Sequence, residues 1–90
     1  MILTKEYIKL KGFVEKPSYS PERLDFEYGD VWNIGGAFLS FHPSTFALKL
    51  TTVGPGYNAN GPNHSVKFDG IILTEDELDT ILRLTRTRTK

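Results

Sequence analysis

The side chains with the greatest potential for chemistry are concentrated in residues 54–64, which contain three glycines, two prolines and three asparagines. Glycine and proline interrupt helices and strands, so this composition predicts an irregular loop. Its amide, aromatic and imidazole groups could bind a polar or anionic molecule, and the candidate residues are Tyr57, Asn58, Asn60, Asn63 and His64. Loops of this length in compact domains are usually functional or disordered. The alternative interpretation is a strand connection whose glycines and prolines serve turn geometry alone.

Three further side chains could complete a site of this kind. Trp32 could stack on a planar group such as a base, although an aromatic residue at strand spacing is more often part of the core. Arg86 and Arg88 could contact a phosphate group, either in the same chain or from a second subunit. The alternative for residues 85–90 is a basic, flexible tail that keeps the protein in solution.

The two histidines of the chain, His42 and His64, allow one enzymatic hypothesis. A two-histidine phosphodiesterase or nuclease needs both imidazoles in one cleft, one as acid and one as base. His42 and Ser44 have a suitable spacing, but no second copy of this pattern follows His64. We therefore assign no catalytic residue, and we expect neither a cofactor nor a metal site.

Composition excludes several classes of protein. Eleven basic residues balance eleven acidic ones, and this neutrality argues against a nucleic-acid partner. There is no cysteine, so disulfides, cysteine-ligated metals and thiol catalysis are excluded. No apolar run approaches the length of about 20 residues that crosses a bilayer, and no secretory leader is evident. We expect a single domain, residues 1–90, located in the cytoplasm and without a membrane partner.

Alternation of apolar and polar residues predicts the strands. The segments concerned are 7–14, 24–28, 31–34, 37–41, 46–53 and 65–68, followed by an apolar run at 71–73. In the first of them Ile8, Leu10 and Val14 would face the core, and Gly12 could mark a bulge. Gly29 and Asp30 predict a two-residue hairpin turn. Asp69 and Gly70 predict a further turn or a bulge.

One helix is evident, beginning after Thr74. Thr74 and Glu77 fit a capping box, in which each side chain accepts a hydrogen bond from the other residue's backbone. Leu78, Ile81 and Leu82 form an apolar stripe that must dock on the sheet. The predicted fold is α+β: a small, curved antiparallel sheet of about five strands with one C-terminal α-helix packed on it.

These expectations favour a non-catalytic binding protein that holds a small polar or nucleotide-like ligand with the 54–64 loop and neighbouring aromatic residues. The alternative is a protein-interaction module or inhibitor that occludes a larger enzyme or complex, as some virus-encoded anti-defence proteins do. A chain this small buries a limited share of its surface, so association with a second copy is compatible with either hypothesis.

Overall fold

The computed structural model describes residues 1–31, 35–54 and 64–87. Its elements are α1 (Lys5–Leu10), β1 (Val14–Lys16), β2 (Leu24–Tyr28), β3 (Gly36–His42), β4 (Ala47–Val53), β5 (His64–Ile71) and α2 (Glu75–Leu84). The five strands form one antiparallel sheet in the order β1-β2-β3-β4-β5, so each strand pairs with its neighbours in the sequence. The sheet is open, with β1 and β5 at its edges. The predicted α+β fold is confirmed.

One face of the sheet carries the hydrophobic core. Every second residue of β3 is buried, and Leu39 lies opposite Phe26 on β2 and Leu50 on β4. Both helices cover this face. The buried cluster consists of Leu3, Ile8, Phe13, Phe26, Ala37, Leu39, Phe41, Leu48, Leu50, Ile72, Leu78 and Leu82. Each fully buried aliphatic side chain stabilises the fold by about 1.5–3 kcal/mol. No helix among the described residues is long and apolar enough to cross a membrane.

The beginning of the chain corrects the sequence analysis, because the strand predicted at 7–14 is wrong. Residues Lys5–Leu10 form α1. Thr4 caps the helix, and its hydroxyl accepts a hydrogen bond from the Tyr7 backbone N–H at 3.3 Å. Leu3 before the cap and Ile8 in the second turn are both buried, which is the arrangement of a hydrophobic staple. These local signals outweigh the alternating pattern.

The end of α1 explains the remaining residues of that segment. Gly12 follows the last turn with φ of 100°, and its N–H donates to the Lys9 carbonyl at 2.9 Å. It therefore terminates a helix and does not form a bulge. Leu10 is 70 % exposed, and Val14, at the start of β1, is also mainly exposed. Phe13 enters the core in their place.

The hairpin turn predicted directly after β2 is also wrong. β2 ends at Tyr28 and β3 begins at Gly36, so the connection comprises residues 29–35. Val31 is buried within this connection and not in a strand, and residues 32–34 lie outside the described part of the chain. A Cβ atom at Gly36 would overlap the Tyr28 carbonyl at the end of β2, and it would lie 3.0 Å from the Val31 side chain of the connection.

Two smaller corrections concern β4 and β5. Phe46, predicted within a strand, has φ of 60° and completes the turn before β4, where its N–H donates to the His42 carbonyl at 2.7 Å. Asp69 and Gly70 lie inside β5 and form neither a turn nor a bulge. The irregularity of this strand lies earlier, at Lys67, where the register with β4 shifts.

The capping box of α2 is confirmed. The Glu77 N–H donates to the Thr74 hydroxyl at 3.1 Å, and the Thr74 N–H donates to the Glu77 carboxylate at 3.0 Å. Leu78 and Leu82 are buried, and Ile81 packs against the core from its margin. This stripe fixes the helix on the sheet and determines where its C-terminus lies.

Candidate functional site

The strand ends that border the β2–β3 and β4–β5 connections lie at one end of the sheet. Val53, the last residue of β4, pairs with Gly36 on one side and with His64 on the other. The described residues that flank segment 55–63 therefore lie next to the start of β3. We call this region, defined by Gly36, Val53 and His64, the loop end of the sheet.

The C-terminus of α2 reaches the loop end through an ordered cap. The Arg86 N–H donates to the Arg83 carbonyl at 3.1 Å, and the Thr87 N–H donates to the Leu82 carbonyl at 3.0 Å. This pair of hydrogen bonds is the Schellman motif, whose central position requires left-handed backbone and is usually glycine. Arg86 occupies that position with φ of 55°. Residues 85–87, assigned from the sequence to a basic tail, thus hydrogen-bond to the last turn of the helix.

A cleft of ≈ 290 Å³ lies between this cap and the sheet. Its lining consists of Gly35, Gly36, Ala37, Thr52, Val53, Arg86 and Thr87, and we call it the Arg86 cleft. Ala37 and Val53 are buried, whereas Arg86 is exposed. The ion pairs of the described residues do not include Arg86, so its charge is not neutralised by a carboxylate there. A lining that includes an arginine and two threonines is chemically suited to an anion.

A smaller depression extends the positive surface. It has a volume of ≈ 150 Å³, and its lining includes Lys11, Asp79, Arg83 and Thr87. Thr87 lines both depressions, so Arg83 and Arg86 lie on either side of a shared wall. The positive charge near the cleft therefore exceeds that of Arg86 alone.

The carboxylate in this depression is held by two partners from α1 and its cap. Asp79 accepts a hydrogen bond from the Tyr7 hydroxyl at 2.7 Å, and its other oxygen lies 2.8 Å from the Lys11 ammonium. The hydrogen bond from Lys11, followed by that from Tyr7, holds the pKa of Asp79 below its usual value. The same contacts with Asp79 raise the pKa of Tyr7 and of Lys11. These three groups join the two helices, and Asp79 offers little free negative charge to repel an anion.

The structure brings two of the sequence-predicted site residues to the loop end. Arg86 lines the cleft, and His64 is an exposed residue paired with Val53. The other candidates lie outside the described residues, and their roles stay predictions: Trp32, Tyr57, Asn58, Asn60, Asn63 and Arg88. Sequence reasoning missed Thr52 and Thr87, because their place in the lining depends on strand register and on the helix cap.

The two histidines lie far apart. His42 pairs with Ala47 at the start of β4, whereas His64 pairs with Val53 at its end. Along a strand this separation amounts to roughly 20 Å. The two imidazoles therefore do not share a cleft as the phosphodiesterase hypothesis required. Nor does the described part of the chain contain a group of three or more histidine and acidic side chains that could hold a metal ion.

The chemistry of the loop end thus consists of an arginine held in left-handed backbone, a second arginine nearby and a small cleft between them and the sheet. A function must be inferred from these residues themselves. Comparison of the chain with protein-family models, with curated proteins and with solved structures finds no match.

Proposed function

We propose that the protein binds a small anionic ligand of the nucleotide type, with the phosphate group in the Arg86 cleft. The observation that carries this proposal is the position of Arg86, an arginine without an ion-pair partner among the described residues, held in left-handed backbone at the cleft. The proposed activity is binding without chemical conversion of the ligand.

The backbone of Arg86 supports the proposal on energetic grounds. A residue other than glycine in left-handed backbone is less stable by about 1–2 kcal/mol. Unfavourable backbone conformations of this kind are concentrated at functional sites, where the surrounding structure maintains them. Glycine would form the same cap without strain, but it would bring no guanidinium to the cleft. Arginine is the side chain best suited to bind phosphate through two parallel hydrogen bonds.

The size of the cleft limits what it can hold. A volume of ≈ 290 Å³ is at the lower end of the range for small-molecule sites, about 300–1,000 Å³. It suits a phosphate group with part of a sugar better than a complete nucleotide. The base would then extend beyond the cleft, where we expect Tyr57 or Trp32 to stack on it.

Thermal unfolding in the presence of inorganic phosphate, nucleoside monophosphates and cyclic nucleotides tests the proposal. A ligand that binds the folded state raises the apparent stability, by about 2.7 kcal/mol when its concentration is a hundred times the dissociation constant. Arg86→Gly should abolish this rise while keeping the helix cap. Lys16→Gln is the matched control, since it removes one positive charge from β1 and should leave the rise unchanged.

Two results would count against the proposal. One is the absence of stabilisation by any compound of the panel. The other is equal stabilisation of wild type and Arg86→Gly, which would place the ligand elsewhere. Tyr57→Ala tests the stacking expectation separately: it should lower the rise for nucleotides and leave the response to inorganic phosphate unchanged.

A second candidate function is that of a protein-interaction module or inhibitor that occludes a larger protein. The observation that favours it is the exposure of apolar side chains near the junction of β5 and α2. Ile71 is 63 % exposed, and Leu73 is half exposed. Isolated exposed apolar residues are common, but Ile71 also lines a groove between β5 and α2, and an apolar surface next to a groove is typical of an interaction site. Binding of a peptide in that groove is the measurement that tests this candidate.

A further inference from the structure

A second groove lies between the edge strand β5 and helix α2, formed by residues other than those of the Arg86 cleft. It has a volume of ≈ 390 Å³, and its lining consists of Phe68, Ile71, Ile72, Asp76, Glu77, Thr80 and Ile81. Its floor is apolar, since Phe68 and Ile81 are only partly buried against the core. We call it the β5–α2 groove.

Glycine at position 70 shapes the floor of this groove. A Cβ atom added to Gly70 would lie 3.0 Å from the Phe68 ring. The ring therefore lies across the strand over Gly70, and a larger residue at that position would displace it. Phe68 presents the remainder of its ring to the groove as a flat apolar surface.

The strand beside the groove has an unpaired edge. β5 is the last strand in the sheet order, so within the described residues no strand pairs with its outer side. The Ile72 N–H donates to the Phe46 carbonyl on the β4 side at 2.9 Å. Backbone polar groups alternate in direction along an extended strand. The N–H and C=O groups of Asp69 and Ile71 therefore point towards the open edge.

The rim of the groove is acidic. Asp76 is exposed and takes part in none of the ion pairs found in the described residues. Glu77, which is held by the capping box, lines the same rim. Among the residues that the structure describes, no lysine, arginine or histidine lines the groove.

We propose that the β5–α2 groove binds an extended peptide that carries a basic side chain two residues from an apolar one, so that both side chains face α2. The peptide adds a strand to β5 through the backbone groups of Asp69 and Ile71. Its apolar side chain packs against Phe68 and Ile81, and its basic side chain pairs with Asp76. Strand addition supplies affinity through the main chain and specificity through the side chains. This inference does not rest on the anion site proposed for the Arg86 cleft.

Charge also distinguishes this partner from a second copy of the chain. Two copies that associate by a twofold axis present the same surface to each other. The acidic rims, with Asp76 and Glu77 of each copy, would then approach, and like charges placed close together are destabilising. The bulge at Lys67 further disrupts the first half of the β5 edge, as in other strands protected against self-pairing.

Fluorescence anisotropy with an eight-residue peptide, the length of β5, tests the proposal. Valine and lysine alternate at every second position of the peptide, so that both face the groove, and threonine fills the positions between them. A peptide with glutamate in place of lysine is the control for charge. A third peptide, N-methylated at alternate amides, is the control for main-chain pairing. We expect the basic peptide to bind about tenfold more tightly than the acidic one, because only the basic peptide complements the rim. The N-methylated peptide should bind no better than the acidic one.

Matched variants of α2 locate the binding site. Asp76→Asn and Glu75→Gln each remove one negative charge from the first turn, but only Asp76 lines the groove. Asp76→Asn should weaken binding of the basic peptide about fivefold, in line with an exposed ion pair, and Glu75→Gln should have little effect. Thr80→Arg, which places a cation in the groove, should abolish binding. Arg86→Gly should leave peptide binding unchanged. The peptide experiment can therefore fail or succeed independently of the proposal that the Arg86 cleft binds an anion.

Three outcomes would overturn the inference. The first is equal binding of the basic and acidic peptides, and the second is binding that Thr80→Arg does not alter. The third is the absence of peptide binding together with a dimer, detected by light scattering, that Thr80→Arg dissociates. That result would assign the groove to a second copy. For each variant, an amide spectrum that matches that of wild type establishes that the fold is retained.

Discussion

The two helices begin in the same way and end differently. In each, a threonine side chain accepts a hydrogen bond from the backbone N–H three residues later, Thr4 from Tyr7 and Thr74 from Glu77. Each is followed by one residue with positive φ, but in α1 this residue is Gly12 and in α2 it is Arg86. A backbone conformation with positive φ therefore follows both helices. Glycine, which adopts it without strain, occupies this position after α1, whereas arginine, which does not, occupies it after α2.

This difference separates structural from functional demands. Gly12 has a purely structural explanation, because the chain must leave α1 to enter the core at Phe13. Arg86 lines a cleft and has no partner among the described ion pairs, so the strained backbone has no structural benefit that glycine would lack. Of the two helix ends, that of α2 is therefore the one where the sequence departs from local stability.

The largest expected effect tests whether residues 5–10 form a helix. Ile8→Ala should lower the free energy of unfolding by about 2–5 kcal/mol, because Ile8 is fully buried in the core. Leu10→Ala should change it by less than about 0.5 kcal/mol, because Leu10 is mainly exposed. Urea denaturation of both variants measures the two values. Similar losses in both would favour the strand, in which the two side chains share a face.

The next effect concerns the end of α1. Gly12→Ala should destabilise the protein by about 1–2 kcal/mol, because alanine at a φ of 100° is strained. Urea denaturation checks this value, and Gly54→Ala is the control, because Gly54 is not among the described glycines with positive φ. An unchanged stability of Gly12→Ala would mean that α1 does not end as described.

The N-caps provide a smaller effect that ranks the two helices. Thr74→Ala should lower stability by about 1 kcal/mol, because it removes the hydroxyl that the capping box requires. Thr4→Ala should lower the free energy of unfolding by less, since α1 is only six residues long and its cap hydrogen bond is longer, 3.3 Å. Denaturant unfolding followed by circular dichroism measures both. A greater loss in Thr4→Ala would reverse the ranking.

The contact between the helices predicts the smallest effect and a pH dependence. Asp79→Asn should cost about 0.5–1 kcal/mol at neutral pH, as expected for a partly exposed ion pair. Because the pKa of Asp79 is lowered in the folded protein, its contribution is present above the pKa of the unfolded chain and is lost as the pH falls below about 4. The pKa values of Lys11 and Tyr7 are raised, so their contribution is lost as the pH rises above about 10.

Urea denaturation of wild type and Asp79→Asn across this pH range measures the difference in stability. The difference should be constant near neutrality and should shrink at both extremes. A difference that persists at pH values below about 3 would show that the Asn side chain disturbs the structure by another route.

The sequence predicted the elements whose signals are local. The α2 cap follows from Thr74 and Glu77 alone, and the paired strands β3 and β4 follow from alternating apolar residues. It did not predict α1, because lysines at alternate positions in this segment give the pattern of a half-buried strand. The signals for a helix lie at the two ends of the segment, at Thr4 and Gly12.

The candidate site was predictable only in part. Arg86 could be named from its charge, but its place in a cleft depends on a helix cap that lacks glycine, the usual sequence signal. The contribution of Thr52 depends on the register of β4 against β3, which pairs it with Ala37. Register of this kind results from packing across the whole sheet and cannot be derived from a short segment.

The most direct test compares the free energy of unfolding of wild type and Arg86→Gly, each measured with and without saturating inorganic phosphate. Phosphate stabilises most proteins by exclusion from their surface, and the variant corrects for that general effect. Without phosphate, Arg86→Gly should be more stable by about 0.5–1 kcal/mol, because glycine relieves the left-handed strain. With phosphate, wild type should gain more than the variant, and the difference between them should shrink or change sign. Two results would contradict the claim that Arg86 is held in strained backbone in order to bind an anion. One is an equal phosphate-induced gain in stability in both proteins, and the other is an Arg86→Gly variant that is less stable than wild type without phosphate.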